Sequence, residues 1–531
     1  MNINQALAEW RGILGDSRVL NSEAAARAYS VDASGYHRRI AGALKISDAT
    51  TLPAIVSIAS HLGVPIYPIS TGRNWGYGTS LPVRDDCVII DLGELNRILN
   101  FDAELGVVTL EPGVTQEQLA QFLDQGAHPF LVPVTGAGPT CSLVGNALER
   151  GYGITPHADH FGAVSDLEAV LADGSIYRTA LREAGGEDLA RLFKWGLGPY
   201  SAGLFTQSGF GIVTRLTIAL ARRPEQVKAF LFSLRSDDLL EAAVERIRRI
   251  LGALPGTVGA VNLMNQRRVL AMSSPFPVDQ LDTQGMIPET LVEKMGRQYQ
   301  IFPWTGLGTL YGTRRIVKAA QGEIRRALSG VANRLIFLSP AHAQTLANLA
   351  RILPGAGGQK LARTVGTLAK SLQLVAGRPN ETALPLCYWR NPASPTGAHL
   401  DPARDGCGLI WYAPLVPMRP PAVREYVETV KRVALSHRME PLITFTSVSD
   451  KIFDSTVPLI FERDNPQAQQ SAEHCYHDLL SAGREIGCFP YRVGINTMET
   501  LGSAMKHSRV FHSRLRAVLD PGDILSPGRY G

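Results

Sequence analysis

No run of eighteen apolar residues occurs in this chain, so length alone argues against a membrane-spanning helix. Like charges are scattered too. The 531 residues carry a formal net charge of +5, yet no block of five or six basic residues exists. The densest group, Arg246, Arg248 and Arg249, reads as the solvated face of a helix, so no nucleic-acid partner is expected. The six cysteines, at 87, 141, 387, 407, 475 and 488, form no C-x-x-C pair. They read as reduced, mostly buried thiols of a cytoplasmic protein. The opening residues lack the basic stretch and apolar core of a secretory leader. H-E-x-x-H, G-x-S-x-G, G-x-x-x-x-G-K-[ST] and G-x-G-x-x-G are all absent. These absences exclude the common zinc-protease, serine-hydrolase, nucleotide-triphosphate and Rossmann signatures, and no metal site is expected.

What is present is enough apolar material, 45% hydrophobic against 19% charged, to bury large cores. The length suggests roughly two to four domains. No internal repeat or low-complexity tract is found. The stretch that organises the rest is Ile66 to Ser80, I-Y-P-I-S-T-G-R-N-W-G-Y-G-T-S. A short strand over Val64 to Ile69 runs into a loop carrying Gly72, Gly76 and Gly78. Backbone N–H groups in such a loop form an anion-binding concavity. Arg73 adds a fixed cation, and Ser70 and Thr71 add hydroxyl donors, which together suit a pyrophosphate.

Taken in order, the first 45 residues read as helices with polar faces. Ala49 to Gly63 reads as a helix capped by Thr51, with Pro53 in its first turn and Gly63 as its stop. Strands follow at Cys87 to Leu92 and Val107 to Leu110, then a helix at Gln116 to Asp124. A second glycine-rich segment, Val132 to Gly153, carries Gly136, Gly138, Gly145, Gly151 and Gly153, which let backbone lie flat against a ring system. Leu167 to Leu171 and Ser175 to Arg178, joined by Asp173-Gly174, read as a hairpin. From 224 to about 488, strand-like runs such as Val227 to Leu234 alternate with amphipathic helices at Asp237 to Leu251 and Ala422 to Ser436. Pro379 to Gly408 reads as a long functional loop.

I-S-T-G-R-N-W-G-Y-G, at residues 69–78, resembles the pyrophosphate loop of the vanillyl-alcohol oxidase / p-cresol methylhydroxylase family of flavoproteins. The likeness continues in G-N-A-L-E-R-G-Y-G (145–153), T-P-H-A-D-H-F-G (155–162), G-L-F-T-Q-S-G-F-G-I-V-T (203–214), W-T-G-L-G-T-L-Y-G-T from Trp304, and D-P-G-D-I-L-S-P-G-R-Y-G (520–531). It is strong over roughly 50–220 and 485–531, and looser between them. It implies an α+β, two-domain, PCMH-type FAD-binding fold with an α+β cap. The expected domains are 1–223 for FAD (its core about 47–223), 224–488 for the cap over the substrate, and 489–531 returning to the FAD domain.

By the same resemblance, FAD contacts fall to Ser70, Thr71, Gly72, Arg73, Asn74, Trp75, Gly76 and Gly78. The second group is Gly136, Gly138, Ser142, Gly145, Asn146, Glu149, Gly151, Gly153 and His160. Gly211, Ile212, Val213, Arg492 and Arg529 complete the set. The family's phenolate-binding groups match Tyr77, Tyr491 and Arg492, the last two within C-F-P-Y-R-V-G. The expected activity is hydride removal from a small para-substituted phenol by an FAD-linked oxidase or dehydrogenase. A 2-hydroxy acid or another anionic substrate, paired with Arg492, is the alternative, and a flavin protein without turnover is the third reading. Oxygen or a cytochrome would take the electrons, and a homo-oligomer is open.

Two departures from the family pattern matter. Its second loop typically reads V-P-D-L-G-G-G-S, whereas this chain has V-P-V-T-G-A-G-P-T-C-S, with Val134 in place of the acid near the flavin. His157 stands where the family pattern has tyrosine and becomes the candidate base. The family's flavin tether lies five residues before a Pro corresponding to Pro414, which is Leu409 here, while His399 is fifteen residues ahead of it. Asn74 occupies the position of the other known tether type. The FAD is therefore expected to be non-covalent.

Overall fold

The structure is a computed structural model that describes residues 2–352, 355–391 and 395–530. The organising stretch begins on the strand Ile66–Ile69, which pairs in parallel with Cys87–Asp91. Cys87–Asp91 pairs in parallel with Ile40–Lys45, and Val19–Leu20 closes the far edge antiparallel. A parallel sheet needs cover on both faces, so its strands are continuous apolar runs. The helices Ile3–Leu14 and Leu52–Leu62 supply part of that cover, and the indole of Trp10 donates to the Ile55 carbonyl at 3.1 Å within the shared core. The all-helical reading of the first 45 residues therefore needs correction. Ile40–Lys45 is a central strand, because its buried neighbours on both faces override the local pattern. Thr51 makes no capping hydrogen bond; Asp48 caps the short turn before the helix instead, while Gly63 does end it.

A second, antiparallel sheet runs Ile98–Asp102, Val107–Leu110, Ile212–Ala219, Val164–Val170, Ile176–Arg178. Its last two strands are the expected hairpin, with Gly174 in the turn. Ile98–Asp102 was not foreseen: it is partly exposed and shows little apolar alternation. The helix Gln116–Gln125 packs beside this sheet behind a reciprocal cap between Thr115 and Gln118.

The cap is one nine-stranded sheet, with every strand pair antiparallel. The helices Leu240–Ala253, Arg314–Leu328, Pro420–Ser436 and Pro466–Glu485 share its largest core. Arg248 and Arg249 do lie on a solvated face, both ion-paired to Glu245. At the C-terminus, the Ile66 amide donates to the Ile524 carbonyl and the Ser526 amide to that of Ile66, each at 2.8 Å. The chain end thus lies against the strand that feeds the organising loop. All six cysteines are buried and free of disulfides. Among the described residues no helix is long and apolar enough to cross a membrane.

Candidate active site

Both glycine-rich segments and one face of the cap sheet close around a single cavity of about 520 Å³. Why the backbone comes so close is visible at two glycines. Gly76, at φ +78°, lies where a Cβ would meet Trp411 Cδ1 at 2.4 Å, so the first loop can press against the cap only without a side chain. At Gly145 a Cβ would meet Ser70 Oγ at 2.4 Å, which holds the second segment against the first.

The cap side of the cavity is set by strand register. Asn262, Thr446 and Asp454 stand opposite one another on three adjacent strands, and Met264, Thr444 and Thr456 form the next row. All six line the cavity. Strands lie about 4.8 Å apart and same-face residues about 7 Å apart along a strand, so these rows are a flat floor of nearly fixed dimensions.

At one end of that floor stand the three groups matched to a phenolate site. Arg492 lies over the Tyr77 ring, donates to Asn74 Oδ1, and approaches Glu149 at 3.6 Å. Tyr491 packs edge-on against Tyr152, with ring centroids 5.4 Å apart. Burial raises the Tyr77 and Tyr491 hydroxyls well above their ordinary range, and the Arg492 charge pulls both back. Arg529 pairs with Glu149 and donates to the Tyr67 hydroxyl at 2.8 Å.

Asp454, only 5% exposed, faces this cluster and was not singled out from the sequence. Its Oδ1 is buried without a hydrogen-bond partner. Desolvation pushes its pKa up to about 7, and the Arg492 charge is the opposing influence. A buried carboxyl poised near neutrality in a cavity is the pattern expected of a proton-transfer group.

Of the residues predicted for flavin or catalysis, most line the cavity, including Ser70, Arg73, Asn74, Tyr77, Gly136, Ser142, Glu149, Tyr491, Arg492 and Arg529. His157, His160, Gly76, Gly78, Gly138 and Ile212 do not. His160 acts one layer back: its ring is bonded to Asn146, which does line the cavity, and burial pulls its pKa down to about 4, so it stays neutral. His157, the expected base, sits in the turn that folds back on Tyr152 and Gly153 and is not among the residues that line the cavity. Arg73 pairs with Asp401 of the Pro379–Gly408 tract, which also accepts from the Trp75 indole at 3.1 Å. Val134 and Leu409 both line the cavity as apolar wall.

The residues present fit a flavin nucleotide. The cavity joins hydroxyl donors at Ser70 and Thr71 to buried guanidinium nitrogens, the Nε atoms of Arg73 and Arg492, that make no hydrogen bond within the protein. Residues 40–180 match the FAD binding domain family. Over 530 residues the chain is 35% identical to 1'-carboxy-chondrochloren decarboxylase of Chondromyces crocatus, spanning 99% of this chain and 97% of that one. This chain belongs to the PCMH-type FAD-binding flavoproteins. Within that family it is 26% identical to the 4-cresol dehydrogenase [hydroxylating] flavoprotein subunit of Pseudomonas putida, over 99% of this chain and 95% of that one. A solved structure of 4-ethylphenol oxidase from Gulosibacter chungangensis, in an isoeugenol complex, superposes with a TM-score of 0.88 at 24% identity, covering 100% of this chain and 97% of that one, which shows the shared two-domain α+β fold. The PCMH-type family assignment makes this protein an FAD-linked oxidoreductase.

Among the cavity residues that escaped the sequence reading are Asp454 and Arg268. Asp454 sits in the strand segment F-D-S-T, and Arg268 in an Arg-Arg pair, Arg267-Arg268. Their positions depend on pairings far apart in the chain, such as Asn262 with Thr446, which no local pattern announces.

Proposed function

We propose that this flavoprotein oxidises a small para-substituted phenol at the carbon attached to the ring. The observation that carries the reading is the convergence of Tyr77, Tyr491, Arg492 and Asp454 on one end of the cavity. Bound FAD supplies a two-electron acceptor for the hydride. Residues 1–223 and 489–531 hold it in this reading, and 224–488 cover the substrate. Arg492, fixed by Asn74 and the Tyr77 ring, stabilises the phenolate together with the two tyrosine hydroxyls. Ionisation makes the benzylic C–H a better hydride donor, because the oxygen's charge flows toward the departing carbon. Asp454 takes the phenolic proton, or the proton of a water adding to the oxidised carbon. Val134, Leu409 and Trp411 exclude bulk water, which strengthens each of these interactions.

The relative named as a decarboxylase favours a second outcome at the same site. Hydride loss leaves a quinone methide. If the neighbouring carbon bears a carboxylate, its C–C bonding pair moves to form an alkene, CO₂ departs, and the ring returns to a phenolate. No further oxidant is needed. Oxygen or a cytochrome then reoxidises the enzyme, and the buried free thiols support a cytoplasmic setting.

The test is anaerobic mixing of the holoenzyme with 4-alkylphenols, with 3-(4-hydroxyphenyl)propionate and with D-2-hydroxy acids, following flavin bleaching and product mass. Bleaching by phenols supports the reading. Bleaching by 2-hydroxy acids alone rejects it.

A further inference from the structure

Arg268 is only 8% exposed, yet it lines the cavity. It projects from the cap helix Gln266–Ser273, its Nε donates to Thr444 Oγ1 at 2.9 Å, and its guanidinium lies 5.9 Å from the centre of the Trp411 ring. Its Nη1 is buried with no hydrogen-bond partner. Among the described residues no carboxylate pairs with it, in contrast to its neighbour Arg267, which is bonded to Glu440 and Glu289. Burial lowers its pKa to about 10, which still leaves it charged at neutral pH. A desolvated guanidinium without a counter-ion is costly, and its persistence beside an open cavity points to an anion that arrives with a ligand.

Its place on the floor says which part of a ligand that is. Thr444, its anchor, stands in the second row, one strand over and two residues along from Asp454. That offset is about 8 Å from strand spacing and rise. The phenolate groups gather around Asp454, so Arg268 meets the other end of a substrate laid across the floor. Resting on the phenol reading above, we infer that Arg268 is a specificity-determining receptor for a carboxylate on the substrate's side chain, so that the preferred substrates are phenols with an anionic group opposite the hydroxyl. Thr444 aims the guanidinium, and Trp411 shields it from solvent.

The experiment compares the holoenzyme affinities of 4-ethylphenol and 3-(4-hydroxyphenyl)propionate, read from the concentration dependence of anaerobic flavin bleaching, and of 3-phenylpropionate, read from perturbation of the flavin spectrum, in the parent, Arg268→Met and Arg268→Lys. The parent should prefer the carboxylated phenol over 4-ethylphenol by roughly tenfold or more, the scale of one charge-assisted hydrogen bond. Arg268→Met should abolish that preference and leave 4-ethylphenol binding unchanged, while Arg268→Lys should retain part of it. An unchanged preference in Arg268→Met, or a loss of flavin or a shift in its redox potential with no change in ligand preference, overturns the inference. If 3-phenylpropionate binds in an Arg268-dependent way while 4-ethylphenol does not bind the parent at all, the carboxylate site stands and the phenol reading fails.

Discussion

The guanidinium carbon of Arg492 lies 4.3 Å from the centre of the Tyr77 ring. With Asn74 accepting from its Nη2 and Glu149 at 3.6 Å from its Nε, the cation is fixed before any ligand arrives. A planar fork held this way suits an oxyanion, and lysine cannot reproduce it.

Arg492→Met should therefore weaken phenol binding and slow anaerobic flavin reduction together, by roughly 2 to 5 kcal/mol in total, because a buried anion is left unpaired. Tyr77→Phe and Tyr491→Phe should each cost about 1 to 3 kcal/mol. The effects should be non-additive, since the groups share one oxygen. Stopped-flow reduction and inhibitor titration of single and double variants check this. Additive losses would mean that the three groups do not meet on one atom.

How much of this was legible beforehand follows from where each residue's partners sit in sequence. The two glycine-rich segments that close around the cavity were readable because close backbone approach leaves a local mark, the glycines at 76 and 145, and because Arg73, Asn74 and Tyr77 lie in the same short stretch. The C-terminal pair Tyr491 and Arg492 was legible only through resemblance. Asp454 was not legible: nothing near it in sequence says that Thr446 and Asn262 will be its neighbours. Arg267 and Arg268 look alike in the chain, and only the fold gives one of them carboxylate partners and the other a cavity.

His157 illustrates the converse. Its residue type suits a base, burial lowers its pKa, and the ring lies off the cavity. His157→Phe should slow reduction by far less than the roughly 10²-fold typical of losing a general base. A loss of that size, with FAD content unchanged, would return the proton-transfer role to His157.

The flavin should be dissociable. Leu409 lines the cavity at the position expected of a tether and cannot form one. Asn74 is occupied by Arg492, and His399 is off the cavity, held 3.1 Å from Glu381 and 3.7 Å from Glu117. Acid precipitation of the purified protein should leave yellow FAD in the supernatant. Flavin retained in the pellet on a modified peptide would show a covalent link.

Asp454 makes a prediction of opposite sign for activity and for stability. As a base it works when ionised, so the reductive rate should rise with pH through about 7 and fall away below it. Asp454→Asn should lower that rate by on the order of 10²-fold and flatten the inflection. Stability runs the other way. Desolvation raises the folded pKa from 3.8 to about 7, so between those values the native state binds the proton that the unfolded chain has lost. The stabilising contribution of this group is complete below the unfolded value and is lost as pH rises through the folded one, by up to about 1.4 kcal/mol per pH unit in between. Asp454→Asn, isosteric and never charged, should therefore gain stability relative to the parent as pH is raised from 5 to 8, with the gap levelling off above about 7. Thermal melts of both proteins across that range measure it. A constant gap would mean that the carboxyl titrates as in water, and Asp454 would then lose its claim to the proton in this site.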